Sequence, residues 1–293
     1  MKMTHRLALL ILVVCALVWG SSFILMKRGL VVFTASQVAA LRIGFAGLGF
    51  APIILYRLLR HRRRLPYGRL LFGTAIGNLI PAFLFSLAQT RLQSGTTGVL
   101  NTLTPLSAML LGLLLYGQPF RAQKLVGVLL GLAGASLLVL LDARPGGDLL
   151  YALLVVLATL LYGLHTNYVK FRIHGVSTLE VSGFGLVVFA LPALLGVLLF
   201  TPTQGLAQHP HFWHSLLALV VLGVVGTSFV LWLFFQALKV LSPVAATSVT
   251  YLMPVVALFW GTLDGEPILL WHGFGLAAIL LGVWLVSRVG PRG

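Results

Sequence analysis

Ten apolar stretches of close to twenty residues each, divided by short polar or Gly/Pro-containing segments, constrain this 293-residue chain more than anything else in it. A helix needs about 20 apolar residues to cross a hydrocarbon core. The stretches therefore predict membrane spans at 7–26, 36–56, 68–89, 95–116, 122–141, 147–169, 179–200, 213–237, 243–263 and 269–287. The narrowest separations are Arg91 to Ser94, between the third and fourth, and Lys239 to Pro243, between the eighth and ninth. Fusion at either place would change the topology. Composition agrees with a bilayer: 59% of residues are hydrophobic and 9% charged, too few charges to cover a soluble core.

The net charge of +15 would suggest nucleic acid in a soluble protein, but here Lys and Arg lie almost entirely between the apolar stretches. That distribution reports topology, and no nucleic-acid partner is expected. With the N-terminus in the cytoplasm, the alternating inner segments hold 15 basic residues, including the run Arg57, Arg60, Arg62, Arg63, Arg64 and Arg69. The outer segments hold only Lys27, Arg28, Arg91 and Arg144, with the acids Asp142, Asp148, Asp264 and Glu266. The positive-inside rule thus predicts ten spans with both termini cytoplasmic. The first stretch, from Leu7 to Met26, is too long for a signal-peptide core and lacks a small-residue cleavage site, so it reads as a retained span. The single cysteine, Cys15, excludes an intrachain disulfide and a cysteine-based metal site.

The chain also repeats itself. At an offset of 148, Ser94, Gly117-Gln118-Pro119, Gly127 and Gly134 answer to Ser242, Gly265-Glu266-Pro267, Gly275 and Gly282, with Pro105 and Pro254 one residue out of register. At an offset of 143, Trp19-Gly20 and Lys27 answer to Tyr162-Gly163 and Lys170. This divides the chain into units 1–145 and 146–293 of five helices each. Five is odd, so the second unit enters the membrane upside down: an all-α integral membrane protein of two inverted five-helix repeats, the architecture of a solute carrier.

Polar and helix-bending residues are costly in lipid unless they face protein or a water-filled cavity, so they mark a site. They gather in the first, third, fourth, sixth, eighth and ninth spans, whereas the fifth and tenth are nearly all Leu, Val, Ala and Gly and read as peripheral packing helices. The candidate solute-binding residues are Trp19, Ser21, Asn78, Phe85, Asn101, Thr104, Tyr162, His165, Ser228, Trp232, Gln236 and Tyr251, with aromatic walls and amides or hydroxyls to orient a solute. Pro81, Pro105 and Pro254 each remove a mid-span backbone donor and are candidate hinges, or bends that fit curved helices together. Gly73-x-x-x-Gly77 and Gly127-x-x-x-Gly131 match close-packing motifs, read first as packing within the chain and second as a dimer contact. Arg42 lies about 9 Å from the outer end of its span at about 1.5 Å per residue, within reach of the interface by snorkelling, and has a structural reading, capping helix ends or pairing with freed carbonyls, beside an anion-binding one. His165, at mid-span, is either a packing histidine or a proton carrier. No Asp or Glu falls in the middle of a span, which excludes proton exchange at a membrane carboxylate and favours neutral or zwitterionic solutes.

Trp19-Gly20-Ser21-Ser22-Phe23, Arg42, the Ala88-to-Ser94 stretch, Pro105 and the paired Gly-x-Pro and Gly-x6-Gly endings resemble the EamA family of the drug/metabolite transporter superfamily, over essentially the whole chain. Gln118 departs from the pattern, standing where a Glu like Glu266 is common. The resemblance implies a central cavity lined by those six spans, alternating access, and export of amino acids or related metabolites from a bacterial inner membrane.

The leading expectation is therefore a secondary exporter of small amino-acid-like or drug-like metabolites, monomeric or homodimeric, with no cofactor and with a proton or another ion as an open coupling partner. A lipid flippase of the same fold is the alternative. A membrane enzyme is disfavoured, for no nucleophile with a base, carboxylate pair or metal cluster is present. His209, His211 and His214 cluster beside Trp213, but at spacings that suit a solvated loop better than a metal site.

Overall fold

The computed structural model describes residues 4–60, 65–118, 148–265 and 270–288, together with 125–127, 129–131, 133, 134 and 137. Among the described residues the regular structure is entirely helical. Nine helices are delimited: α1 (His5–Leu30), α2 (Ala35–Arg60), α3 (Tyr67–Ala88), α4 (Ser94–Tyr116), α5 (Asp148–Arg172), α6 (Thr178–Phe200), α7 (Phe212–Leu238), α8 (Pro243–Leu263) and α9 (Leu270–Arg288). Among the described residues eight helices are long and apolar enough to cross a membrane. Described residues between 125 and 137, in the fifth predicted span, are helical too; the rest of that span, Pro119, Asp142, Arg144, Glu266 and Pro267 lie outside the described residues.

Both narrow separations are genuine breaks. α3 stops at Ala88 and α4 begins at Ser94; α7 stops at Leu238 and α8 begins at Pro243, where the Ser242 hydroxyl caps it by accepting from Ala245 N at 3.2 Å. α6 opens with a full capping box, Ser177 and Glu180 satisfying each other's backbone donors. The repeated Gly-x-Pro ends have a conformational cause: Gly117 and Gly265 close α4 and α8 with φ of 62° and 80°, a left-handed turn that other residues enter at a cost.

Which helix ends meet is fixed by polar contacts. At one end, where α1 finishes, Lys27 Nζ lies 2.7 Å from Asp264 Oδ2, Arg28 pairs with the same carboxylate, and Ser215 Oγ at the start of α7 donates to Arg28 O. α2 leaves that end, where Gln37 Nε2 donates to Thr201 Oγ1 behind α6, and reaches the opposite one, where Arg57 Nη1 donates to Ser177 Oγ. There α5 finishes: Phe171 stacks on Tyr116 at 5.4 Å, and Lys170 Nζ donates to the carbonyls of Leu238, Lys239 and Leu241. Outward faces carry Leu10, Leu114, Leu157, Leu191 and Leu217, all exposed, as suits helices solvated by lipid.

Both glycine motifs are used within the chain. A Cβ on Gly77 would overlap the His165 ring, so α3 and α5 touch there, and Gly73 faces Tyr168. Gly282 of α9 rests on the backbone of Gly127 and Gly131.

Candidate functional site

The membrane helices are not uniform. α3 contains a π-helical turn at Ala75–Leu79, and α7 contains one at Val224–Phe229. α4 and α8 each contain a 3₁₀ stretch, Asn101–Leu103 and Ser248–Tyr251, followed closely by Pro105 and Pro254. Such interruptions leave carbonyls without their regular partners, and in a bilayer these must be met by neighbouring protein. In α3 the cause is Pro81, which has no N–H to donate back into the turn. α7 has no proline there. Its turn is held by hydroxyls: Thr227 Oγ1 donates to Leu222 O at 3.0 Å and Ser228 Oγ to Gly223 O at 3.2 Å, both five residues back.

A cavity lies between these irregular stretches, bounded by α1, α2, α3, α4, α5, α7 and α8. The cavity volume is about 100 Å³. The walls are largely aromatic. Trp19 packs on Phe234 at 5.3 Å, Phe23 on Phe85 at 6.0 Å, and Phe85 stacks on Tyr162 at 5.8 Å. Of the polar lining, most hydroxyls spend their proton on their own helix: Thr104 donates to Asn101 O, Thr166 to Tyr162 O, Thr247 to Pro243 O and Thr250 to Thr247 O. The Trp19 indole donates to Gly226 O at 2.9 Å, meeting a carbonyl of the α7 π turn. Asn78, Tyr162 and His165 line the cavity with side chains that donate to no described residue. Arg42 gives only its Nε, to Thr227 Oγ1 at 3.1 Å.

The sequence pattern of the EamA-like transporter family matches this chain twice, over residues 6–140 and 149–288. The chain belongs to the EamA-like transporter family. Relatives agree: the Escherichia coli K12 inner membrane transporter YedA is 27% identical over 283 residues, 92% of this chain and 87% of its own. A Pseudomonas aeruginosa protein is 30% identical over 298 residues, 99% of this chain and 97% of its own. A solved crystal structure superposes with a TM-score of 0.73 at 21% identity, covering 99% of this chain and 100% of that one, and so shares the fold. This EamA-like protein is a membrane transporter.

In this EamA-like transporter, Trp19, Asn78, Phe85, Asn101, Thr104, Tyr162 and His165 meet around the cavity. The other expected residues lie elsewhere, for reasons of helical phase. Ser21 is turned toward α8, donating to Leu17 O and accepting from Trp260 Nε1 at 2.8 Å; its neighbour Ser22 takes the lining position. Ser228 points at α2, donating to Ala46 O at 2.7 Å. Trp232 and Gln236 share a face of α7 one turn apart, while the cavity takes Thr227, Leu231 and Phe234. Trp232 packs on the main core, its buried Nε1 without a partner among the described residues, and Gln236 accepts from Lys239 Nζ. Tyr251 is buried with Val99 and Leu103, leaving Thr247 and Thr250 at the cavity.

Arg42 lies on the cavity lining. Its side chain turns inward to α7 and does not run out to the interface. The available signal was its place on α2 beside an eighth span rich in hydroxyls, which periodicity within α2 alone does not reveal. In the His209–His211–His214 segment, His209 Nδ1 accepts from His211 N at 3.2 Å. Among the described residues no three His, Cys, Asp or Glu side chains form a metal-binding group.

Proposed function

We propose that this transporter is a secondary carrier that exports small neutral or zwitterionic metabolites, amino-acid-like or drug-like, across a bacterial inner membrane. It works by alternating access between two inverted five-helix units, 1–145 and 146–293, with both termini cytoplasmic. The observation that carries this reading is one cavity, fringed by two π turns from corresponding helices of the two units, whose uncommitted polar groups face aromatic walls. Inversion is supported by the helix ends: α1 finishes beside Asp264, whereas α5, its counterpart, finishes beside Tyr116 at the opposite end. A contact between the units joins them at each end, ionic at one and aromatic at the other, where a carrier that opens one side at a time would part them. Pro81, Pro105 and Pro254, beside the irregular turns, are the proposed hinges. Inner-membrane placement follows YedA.

The test is flux. Purified protein in proteoliposomes should show saturable, solute-specific uptake or release from a broad panel of small metabolites. A broad panel without any specific flux would defeat the carrier reading.

A further inference from the structure

Arg42 and Lys170 are both basic residues of membrane helices, and the structure treats them oppositely. The Lys170 ammonium meets three carbonyls, at 2.7, 3.2 and 3.2 Å, which account for all three of its donors. The Arg42 guanidinium has five donors and commits one, to a hydroxyl. No described carboxylate lies within ion-pair distance of it; the ion pairs among the described residues join Lys27 and Arg28 to Asp264 at the end of the bundle. A cation placed this way in a low-dielectric site is costly and attracts an anion.

The remaining uncommitted groups share that preference. Asn78, Tyr162 and His165 each bring an N–H or O–H to the same cavity. Facing them are Phe23, Phe85, Phe234, Met26 and Leu231, which leave no described acid to receive an ammonium. A planar guanidinium fork matches a carboxylate with two parallel hydrogen bonds.

We propose that Arg42 binds the carboxylate of the transported solute, and that the preferred class is small organic acids with an apolar, aromatic-sized body. This rests on the cavity being the transport site and departs from the neutral or zwitterionic class proposed above in one respect: the solute carries an acid group that no ammonium of its own needs to balance. An ammonium contributes nothing to binding, so a simple carboxylic acid suffices.

Three probes of one shape separate the charges: phenylacetate, 2-phenylacetamide and phenethylamine, titrated calorimetrically into the purified full-length protein. Phenylacetate should bind about tenfold or more tightly than 2-phenylacetamide, the range expected for charge-assisted hydrogen bonds, with phenethylamine weakest. Arg42→Gln should erase the acid-over-amide preference; Arg42→Lys should keep it at reduced strength. If Arg42→Gln does not fold, judged by circular dichroism and gel filtration, the wild-type ratio and its fall in Arg42→Lys decide. Equal binding of acid and amide, no binding of any probe, or a preference that survives folded Arg42→Gln would overturn the proposal. Flux is read separately. Acid-selective binding without flux would sink the carrier reading and leave the Arg42 site standing, whereas flux without acid selectivity would do the reverse.

Discussion

The two π turns stand at corresponding places, Gly77-Asn78 in α3 and Gly226-Thr227 in α7, yet the protein braces only one of them. In α7, Trp19 of α1 holds Gly226 O, Arg42 of α2 holds Thr227 Oγ1, and Ser228 reaches Ala46 O on α2. In α3 the turn is held by packing: Gly77 lies against the His165 ring, and Asn78 donates to no described residue. The same backbone irregularity therefore serves as a fixed wall on one side of the cavity and an adjustable one on the other. Hydrogen bonds hold direction as well as distance, while packing against a ring permits sliding.

The comparison breaks most readily at Gly77. Gly77→Ala drives a methyl into the His165 ring, and overpacking of that kind costs about 1–3 kcal/mol, seen as a lower Tm in detergent. Adding His165→Ala should restore much of the loss, since the collision is with that ring; a double variant as unstable as the single would show that α3 is held by something else. Next is Trp19→Phe, which keeps the ring in the cavity but leaves Gly226 O unmet. The expected cost is about 1–2 kcal/mol by thermal unfolding, with faster amide exchange over 224–229 and none over 75–79. Ser228→Ala gives the smallest change, about 0.6–1 kcal/mol, because membrane hydrogen bonds are individually modest and a single hydroxyl proton, shared between Ala46 O and Gly223 O, is lost. If Trp19→Phe and Ser228→Ala both leave exchange over 224–229 unchanged, the braced turn is not braced by these bonds.

The site was legible in proportion to how far it depends on single helices. Trp19, Asn78, Phe85, Asn101, Thr104, Tyr162 and His165 stand out as costly polar or bulky aromatic groups in otherwise apolar spans, and they share the cavity. Ser21 and Ser22 look equivalent in sequence, but neighbours on a helix differ by about 100° in direction, so one lines the cavity and the other serves Trp260. Trp232 and Gln236, one turn apart, share a face of α7 that lies away from this cavity.

Hydrophobic run length alone determined the placing of the eight membrane helices found among the described residues, because lipid punishes an unmet backbone group anywhere along a span. The duplicated Gly-x-Pro signals likewise marked where α4 and α8 end, since a left-handed turn selects glycine locally. The inward turn of Arg42, the bracing of one π turn and the choice of Ser22 over Ser21 were decided only in the tertiary structure. Each depends on which neighbouring helix offers an acceptor, and α1, α2 and α7 meet only when residues some 200 positions apart are folded together.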